Sequence, residues 1–561
     1  MSRDRGKRSA RGPLPPIMEL RLNELEAIVE RTKAGALSLE EHAKLKAAMD
    51  TLAFVTAELK RKQASLERLR HLLFGAKTEK TRSIVDSGVQ PEANRAAPGS
   101  DPSVDADASR STPGAPRPGH GRTSAAAYTG ADMVRIAHPG LHGGEHCPGC
   151  TKGKIYALSE PATLVRITGM APLGATVYEC ERWRCNLCGE VYTAPAPEGV
   201  GEAKYDETAT SMVGLLKYGC GLPFHRIEVL QRGMRIPLPA ATQWELVRDA
   251  LPSIVPAWDE LLRQAAQGEV LYNDDTTMKV LALSAEQRRA AAADEQTDAR
   301  TGVFTSGIVA TREGRHIALF FTGRQHAGEN LAEVLAQRPT ECPPPIQMCD
   351  ALSSNSAGEF DTLLANCLAH ARRRFVEVAE SFPAEVGHVL ETLREVYRTD
   401  AHARKRALSA EQRLLLHQDQ SGPRMAELQT WLRRQLDEHL VEPNSGLGSA
   451  ITYMLKHWAK LTLFLSVPGA PLDNNLCERA LKKAILHRKN ALFYRSLAGA
   501  RVGDVFMSLI HTAELNKVPP FDYLVALQRH HQAVALDPSD WLPWTYEATL
   551  ADLRSGAPPP S

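Results

Sequence analysis

The feature that most restricts the fold is a pair of acidic residues in the middle of an apolar segment. Residues 269–281 read Glu-Val-Leu-Tyr-Asn-Asp-Asp-Thr-Thr-Met-Lys-Val-Leu, a pattern typical of a β-strand that carries Asp274 and Asp275 into its centre. A buried carboxylate costs free energy unless it meets a cation. Adjacent strand residues face opposite sides, so only one of the two, either Asp274 or Asp275, can point into a shared site.

The segments that follow predict further strands and helices of the same domain. They are a charged loop (285–300), two strands of a meander (302–311 and 315–322), a helix (326–337), a strand that carries Asp350 (346–355), and a strand that runs into a helix (from 363). Strand, strand, strand, helix, strand, helix is the element order of an RNase H-like domain. A largely helical insertion is predicted at about 376–463.

Three acids are predicted to meet in this core. The first and fourth strands of such a fold lie side by side, which brings Asp274 and Asp350 together. The third acid of such a fold comes from a later helix, and Glu478 fits this place. A helix with Asp473 as N-cap puts Asn474 and Glu478 on one face. Three carboxylates would hold two Mg²⁺ (or Mn²⁺) ions about 3.5–4 Å apart, which is the arrangement for in-line phosphoryl transfer on DNA. The alternatives are acids on solvated strand ends and an ordinary amphipathic surface helix.

Two pairs of cysteines predict a structural zinc ribbon. Cys147 and Cys150 form one CxxC pair, and Cys185 and Cys188 form the other. Two such knuckles present four thiolates to one Zn²⁺ ion, which would supply the folding free energy of this small unit. The alternative is two unrelated pairs of reduced cysteines.

The N-terminal region predicts self-association. Its helical pattern runs from about residue 17 to residue 74, and leucines recur in it every seven residues, at Leu45, Leu52, Leu59, Leu66 and Leu73. This is a coiled-coil seam, and it predicts a homo-oligomer. The alternative is a long helix packed on its own domain.

The length and composition are typical of a multidomain globular protein. A chain of 561 residues is too long for a single hydrophobic core, and its contents of 43% hydrophobic and 24% charged residues are ordinary. The net charge of +1 says little about partners, because acidic and basic segments cancel. The sequence contains neither an apolar run of about 20 residues nor a secretory signal, so we expect a cytoplasmic, nucleoid-associated protein without a membrane segment.

Several motifs together resemble the IS66 insertion-sequence family of DDE-type transposases. They are Leu73-Phe74-Gly75 with Glu79, the two CxxC pairs, Leu222-Pro-Phe-His-Arg226, Asp274-Asp275-Thr276, Cys367-Leu-Ala-His370-Ala-Arg372-Arg373, Asp473-Asn474-Asn475 with Glu478, Arg488-Lys489-Asn490 with Leu492-Phe493, and Thr512-Ala513-Glu514-Leu515-Asn516. The resemblance covers nearly the whole chain outside the linker and the two tails.

The resemblance implies roles for particular residues. The acidic triad of the family falls on Asp274, Asp350 and Glu478, and its zinc ligands on the four cysteines named above. One departure concerns the run after Asp350, which reads Ala-Leu-Ser-Ser-Asn instead of a run with Gly and Tyr. The competing acids nearby are Glu359 and Asp361, neither of which follows a strand directly.

Clusters of basic residues predict contacts with DNA phosphates. The candidates are Arg226, His370, Arg372, Arg373, Arg374, Lys482, Lys483, Arg488 and Lys489. A solvated helix face is the alternative for the cation rows, and a structural histidine is the alternative for His370.

The predicted fold class is multidomain α+β and α/β. The units are a basic tail (1–16), a helical coiled-coil domain (17–82), a disordered linker (83–135), a zinc ribbon (136–203), a helix-turn-helix-like module (204–262), an RNase H-like catalytic core with its helical insertion (263–500), and a C-terminal helical segment and tail (501–561). A plain helical spacer is the alternative for residues 204–262.

The predicted function is metal-dependent cleavage at the ends of an insertion sequence and strand transfer to target DNA. The predicted partners are the element ends, the target DNA and accessory transposition proteins. The alternatives are a catalytically inactive zinc-containing protein that recognises element ends or regulates expression, and an RNase H-like nuclease that cleaves without joining.

Overall fold

The structure is a computed structural model that describes part of the chain. The described residues are 38, 41–46, 142–146, 150, 152–156, 170–184, 191–195, 197–199, 203–292 and 300–555. Most of the predicted coiled coil and linker lies outside these residues, as do Cys147, Cys185 and Cys188 of the predicted zinc ribbon.

A five-stranded mixed sheet forms the centre of the described chain, and a small antiparallel pair precedes it. The strands are β1 (Arg182–Arg184), β2 (Val191–Thr193), β3 (Val270–Thr277), β4 (Phe304–Arg312), β5 (Arg315–Gly323), β6 (Ile346–Cys349) and β7 (Leu363–Asn366). β1 pairs with β2, and the large sheet has the order β5-β4-β3-β6-β7. β3, β4 and β5 form an antiparallel meander, whereas β6 is parallel to both β3 and β7. The prediction that the first and fourth strands of this domain are neighbours is therefore confirmed.

Helices surround this sheet. They are α1 (Glu207–Gly214), α2 (Phe224–Gly233), α3 (Ala240–Asp249), α4 (Leu251–Ala265), α5 (Leu281–Ala292), α6 (Ala327–Leu335), α7 (Leu368–Val376), α8 (Pro383–Lys405), α9 (Ala410–Gln420), α10 (Gly422–Asp437), α11 (Gly446–Lys456), α12 (Trp458–Leu461), α13 (Asn475–Ala491), α14 (Leu497–Leu515), α15 (Pro520–Arg529), α16 (His531–Leu536) and α17 (Tyr546–Ser555). None of the helices in the described ranges combines the length and the apolar character needed to cross a bilayer.

The helical insertion between α7 and α13 has a buried apolar interior of its own. Leu390 and Leu393 of α8 and Leu428 and Leu432 of α10 are at most 1% exposed. The insertion also buries Asp400, which an ion pair with Arg413, a second with Arg404 and a contact with His417 compensate. Helices α8 to α12 span the range that the sequence predicted as an insertion.

The prediction of a charged loop after β3 is wrong. The charged loop predicted at 285–300 begins instead as helix α5, which runs from Leu281 to Ala292. This stretch is rich in Ala, Glu, Gln and Arg, all of which are strong helix formers, so its mixed charge is compatible with a solvated helix.

Helix α14 covers the edge of the sheet. Strand β5 is an edge strand, and an edge strand presents unpaired N–H groups at alternate residues. Three polar side chains of α14 and the side chain of its C-cap residue Asn516, spaced four residues apart, accept these N–H groups. The pairs are Asp504 with Thr322 (2.8 Å), Ser508 with Phe320 (3.0 Å), Thr512 with Ala318 (3.0 Å) and Asn516 with His316 (3.2 Å).

The spacing of this ladder follows from helix and strand geometry. Four helical residues rise about 6 Å, and two strand residues span about 6.6–6.8 Å, so the two periods nearly match over four rungs. The ladder also makes α14 part of the core. The boundary predicted between residues 500 and 501 falls inside this helix, which begins at Leu497.

The edge ladder generates a stability prediction. Thr512→Val keeps the shape of the side chain but removes the acceptor for the Ala318 N–H, and both residues are fully buried. An unsatisfied buried donor costs about 1–3 kcal/mol. We expect a melting temperature lower by several degrees in a thermal scan. Thr430→Val on the exposed side of α10 is the matched control and is expected to change little, whereas equal melting temperatures of Thr512→Val and the wild type would contradict the ladder.

Candidate active site

The parallel pairing of β3 with β6 brings two of the predicted acids together. Tyr272 is in register with Met348, so two residues further along each strand the chain reaches Asp274 and Asp350. Asp350 comes directly after the last residue of β6. Its carboxylate accepts hydrogen bonds from the Leu352 N–H, at 3.1 Å, and from the side-chain amide of Asn355. The competing acids Glu359 and Asp361 are exposed.

Helix α13 carries the third acid across β3 and β4. The Cys477 thiol donates to the carbonyl oxygen of Gly307 at 3.2 Å, and the Asn474 amide donates to the carbonyl oxygen of Asn273 at 3.1 Å. Gly307 lies opposite Asp274 in the sheet, and a Cβ at this position would come within 3.0 Å of the Leu481 side chain. The helix therefore approaches the strands at the level of Asp274.

The N-terminus of α13 differs by one residue from the sequence prediction. Asn474, and not Asp473, is the N-cap residue, and its buried side chain makes no cap bond but donates to the neighbouring strand. Asp473 still accepts the Asn475 N–H at 3.1 Å. Glu478 lies in the first turn, four residues after Asn474, so the two share a face of the helix as predicted.

The pKa of Asp274 is influenced by its burial and by the carboxylates near it, which include the other two predicted acids. Burial is the largest cause that raises the pKa of Asp274, which reaches about 7. Repulsion from the carboxylates of Asp350, Asp275 and Glu478 acts in the same direction. The Asp275 N–H, which donates to Asp274 Oδ1 at 2.8 Å, acts in the opposite direction. The charges that act on Asp274 therefore come from three elements: β3 itself, the end of β6 and α13.

Asp275 points to the other side of the strand. Its Oδ2 atom lies 2.8 Å from Nδ1 of His326, the N-cap residue of α6. The His326 ring packs against Phe304 with ring centroids 4.1 Å apart. Strand alternation thus assigns the two adjacent acids to different partners.

A buried amide cluster supports the site, and sequence reasoning missed it. Gln347 donates to Asn273 Oδ1 at 3.0 Å and to the Asn355 carbonyl at 2.6 Å, and Asn273 donates to the same carbonyl at 2.8 Å. Asn355 also holds Asp350. The sequence signal for this cluster was a polar residue within each of two otherwise apolar strands, Asn273 and Gln347. Both are fully buried, and buried polar groups need hydrogen-bond partners.

The residues predicted to contact DNA differ in how exposed they are. Lys482, Lys489, Arg373, Arg374 and Arg226 are exposed, and the Arg374 guanidinium lies 3.9 Å from the centroid of the Tyr453 ring. Arg372 is partly buried, and so is His370, whose Nδ1 lies 3.7 Å from Glu478 Oε1.

Two of the predicted DNA contacts also bond within the protein. Lys483 forms an ion pair with Glu514 at 2.8 Å and donates to the Gly219 carbonyl at 3.2 Å. Arg488 donates to the Thr276 hydroxyl at 3.0 Å and to the Thr277 hydroxyl at 2.7 Å. These bonds tie α13 to other elements, so the two side chains have a structural use that the sequence did not indicate.

The predicted zinc ligands are described only at Cys150. Its Sγ atom accepts the Gly153 N–H at 3.5 Å, and the residue is exposed. The other three cysteines lie outside the described residues.

Comparison with known proteins gives one family and several relatives. A family model described as Transposase IS66 family matches residues 203–502, which is more than half of the chain. Uncharacterized protein y4jD of Sinorhizobium fredii is 28% identical over 358 residues, which cover 61% of this chain and 66% of that protein. Uncharacterized protein y4hP of the same organism is 25% identical over 439 residues, which cover 72% of this chain and 74% of that protein. The match to y4jD thus spans just under two thirds of the length of that relative, and no solved structure matches the chain.

The raised pKa of Asp274 generates a pH-dependent stability prediction. Folding raises this pKa from 3.8 to about 7, so the charged carboxylate destabilises the fold. The penalty is absent below the unfolded pKa, grows between pH 4 and pH 7, and is complete above the folded pKa, where it reaches roughly 4 kcal/mol. Asp274→Asn is therefore expected to raise the melting temperature by several degrees at pH 8 in metal-free buffer, and by much less at pH 4.5.

Asp361→Asn is the matched control for this experiment, because that acid is exposed. Its melting temperature is expected to follow the wild type at both pH values. An Asp274→Asn protein no more stable than the wild type at pH 8 would contradict the burial and the nearby charges that raise the pKa of Asp274.

Proposed function

The chain belongs to the IS66 transposase family, and we propose that it cleaves DNA at the ends of an insertion sequence and joins the freed 3′ ends to target DNA. The catalytic core is an RNase H-like domain of DDE type. Asp274, Asp350 and Glu478 are its acidic triad. The observation that carries the proposal is geometric: the parallel register of β3 with β6 brings Asp274 and Asp350 to the same level of the sheet, and the contacts of α13 with Asn273 and Gly307 bring Glu478 to that level.

The donor set around Asp274 fits Mg²⁺ or Mn²⁺. Hard cations prefer carboxylate oxygens, and the repulsion among these carboxylates is the kind that a cation relieves. One further atom supports the fit, since Glu478 Oε1 is buried without a hydrogen-bond partner among the described residues. Asp274, Asp350 and Glu478 would hold the ions, which when bound activate the attacking oxygen and stabilise the leaving oxygen.

The protein contributes position to this chemistry. Asn355 and the Leu352 N–H fix the Asp350 carboxylate, while Asn474 and Cys477 fix the helix that carries Glu478. Preorganised ligands avoid the cost of ordering them in each reaction cycle.

The DNA path is proposed along the basic residues next to the acids. Helix α7 begins beside Glu478 and carries Arg372, Arg373 and Arg374, and α13 carries the exposed Lys482 and Lys489. Such cations neutralise phosphates without reading sequence. Recognition of the ends is proposed for the module at 204–262, where Arg226 is exposed on α2.

Two further parts of the proposal concern the N-terminal regions. Cys147, Cys150, Cys185 and Cys188 are proposed to bind a structural Zn²⁺ ion, and the seam within 17–82 is proposed to form a homo-oligomer. Accessory proteins remain part of the proposal as partners in transposition.

A cleavage and strand-transfer assay tests the proposed function. The substrate is the pair of inverted repeats that flank the coding region, with Mg²⁺ and a supercoiled target. Asp274→Asn and Glu478→Gln are expected to lower both cleavage and joining by roughly 100-fold or more, because each removes an oxygen ligand from the reacting centre.

Glu359→Gln is the matched control, since it removes an exposed acid from the neighbouring loop. It is expected to keep wild-type rates. Wild-type joining by Asp274→Asn and Glu478→Gln would overturn the assignment of the triad. Binding of the ends without cleavage by the wild type would favour a regulatory DNA-binding protein, and cleavage without joining would favour a nuclease.

A further inference from the structure

A second group of metal-ligand types lies next to the acidic triad. Cys367, His370 and Glu478 each offer one ligand atom, and the three atoms lie within 4.8 Å of one another. Nδ1 of His370 is 3.7 Å from Oε1 of Glu478. The group combines sulfur, imidazole nitrogen and carboxylate oxygen, whereas Asp274 and Asp350 offer oxygen alone.

Two helix N-termini bring these residues together. Cys367 is the N-cap residue of α7, and His370 lies in the first turn of that helix. The segment before α13 runs alongside, because the Leu368 N–H donates to the Leu472 carbonyl at 3.0 Å. The Asn474 N–H donates to Cys367 Sγ at 3.2 Å. Glu478 follows one turn later, so its carboxylate reaches the same place.

The polar atoms of this group are not satisfied by the protein. His370 Nδ1 and Glu478 Oε1 are both buried and have no hydrogen-bond partner among the described residues. Their separation of 3.7 Å is too long for a hydrogen bond between them. Two nitrogen or oxygen ligands that are each about 2.0–2.2 Å from a tetrahedral ion are about 3.3–3.6 Å apart, which is close to the observed 3.7 Å.

The sulfur of Cys367 already accepts one backbone donor, the Asn474 N–H, at 3.2 Å. A metal ion bound at this position would displace the thiol proton, which passes to solvent.

We propose that Cys367, His370 and Glu478 form a binding site for a thiophilic divalent ion of the Zn²⁺ class, which shares Glu478 with the oxygen ligands that suit Mg²⁺. Thiolate and imidazole ligands select such ions over Mg²⁺. Three protein ligands leave the fourth tetrahedral position open.

The site has a consequence for catalysis, which rests on the proposed function. Glu478 belongs both to this group and to the acidic triad, so an ion bound to Cys367 and His370 draws the carboxylate away from the Mg²⁺ ligands. Zn²⁺ is therefore an inhibitor of Mg²⁺-dependent DNA cleavage.

Cobalt spectroscopy of the full-length protein tests the binding. Co²⁺ is titrated into protein that has been dialysed against a weak chelator until only the most tightly bound zinc remains, and the absorption of sulfur-to-cobalt charge transfer is recorded together with bound metal per chain. We expect about one further equivalent with a charge-transfer band. Cys367→Ser should abolish the band, and His370→Gln should weaken Co²⁺ binding at least tenfold.

The controls separate this site from other thiols and from the triad. Cys342→Ser, which removes a cysteine outside the group, and Asp350→Asn should both keep the band. A full band in Cys367→Ser and in His370→Gln, or no band in the wild type, would overturn the proposal. Circular dichroism verifies that each variant is folded, and the partly exposed His370 gives a test if Cys367→Ser does not fold.

Activity separates the two proposals. Micromolar Zn²⁺ is expected to inhibit Mg²⁺-dependent cleavage by the wild type, and His370→Gln should require at least tenfold more Zn²⁺ for the same fractional inhibition. Equal sensitivity would contradict the shared role of Glu478. If the wild type binds Co²⁺ as expected but never cleaves DNA, the proposed function fails and the metal site stands.

Discussion

The burial of one carboxylate close to two others is the constraint on which the rest of the structure depends. Asp274 lies in the central strand of the sheet, largely away from water, and the charges of Asp350 and Glu478 add to the cost of its ionisation. The parallel register of β3 with β6 and the contacts of α13 keep the three acids close together despite this unfavourable free energy. Such strain is typical of sites that bind cations or react.

The surrounding architecture keeps those elements fixed. Gly307 has no side chain, so α13 can approach β4 closely enough for the Cys477 thiol to bond to the strand. On the far edge of the sheet, the ladder from Asp504 to Asn516 satisfies the N–H groups of β5 and closes the edge to other strands. The amides of Gln347, Asn273 and Asn355 hold the loop after β6 from inside the protein.

The sequence predicted what depends on local pattern and on strand order. The acid pair at 274–275, the meander, and the neighbouring positions of β3 and β6 follow from alternation and element order, and the sheet has them. Beyond the meeting of the three acids, it did not predict which side chains contact one another across segments far apart in the chain. The rungs between α14 and β5 join residues more than 180 positions apart, and the approach of His370 to Glu478 depends on how two helix N-termini pack. Helix α5 was missed because mixed charge suits both a loop and a solvated helix.

The most direct measurement of the central claim is an anomalous-scattering map from crystals of the full chain soaked in Mn²⁺. The account predicts anomalous peaks within coordination distance, about 2.0–2.6 Å, of carboxylate oxygens from Asp274, Asp350 and Glu478 together. Peaks held by other acids, or a Glu478 side chain directed away from Asp274 and Asp350 in the metal-bound protein, would contradict it.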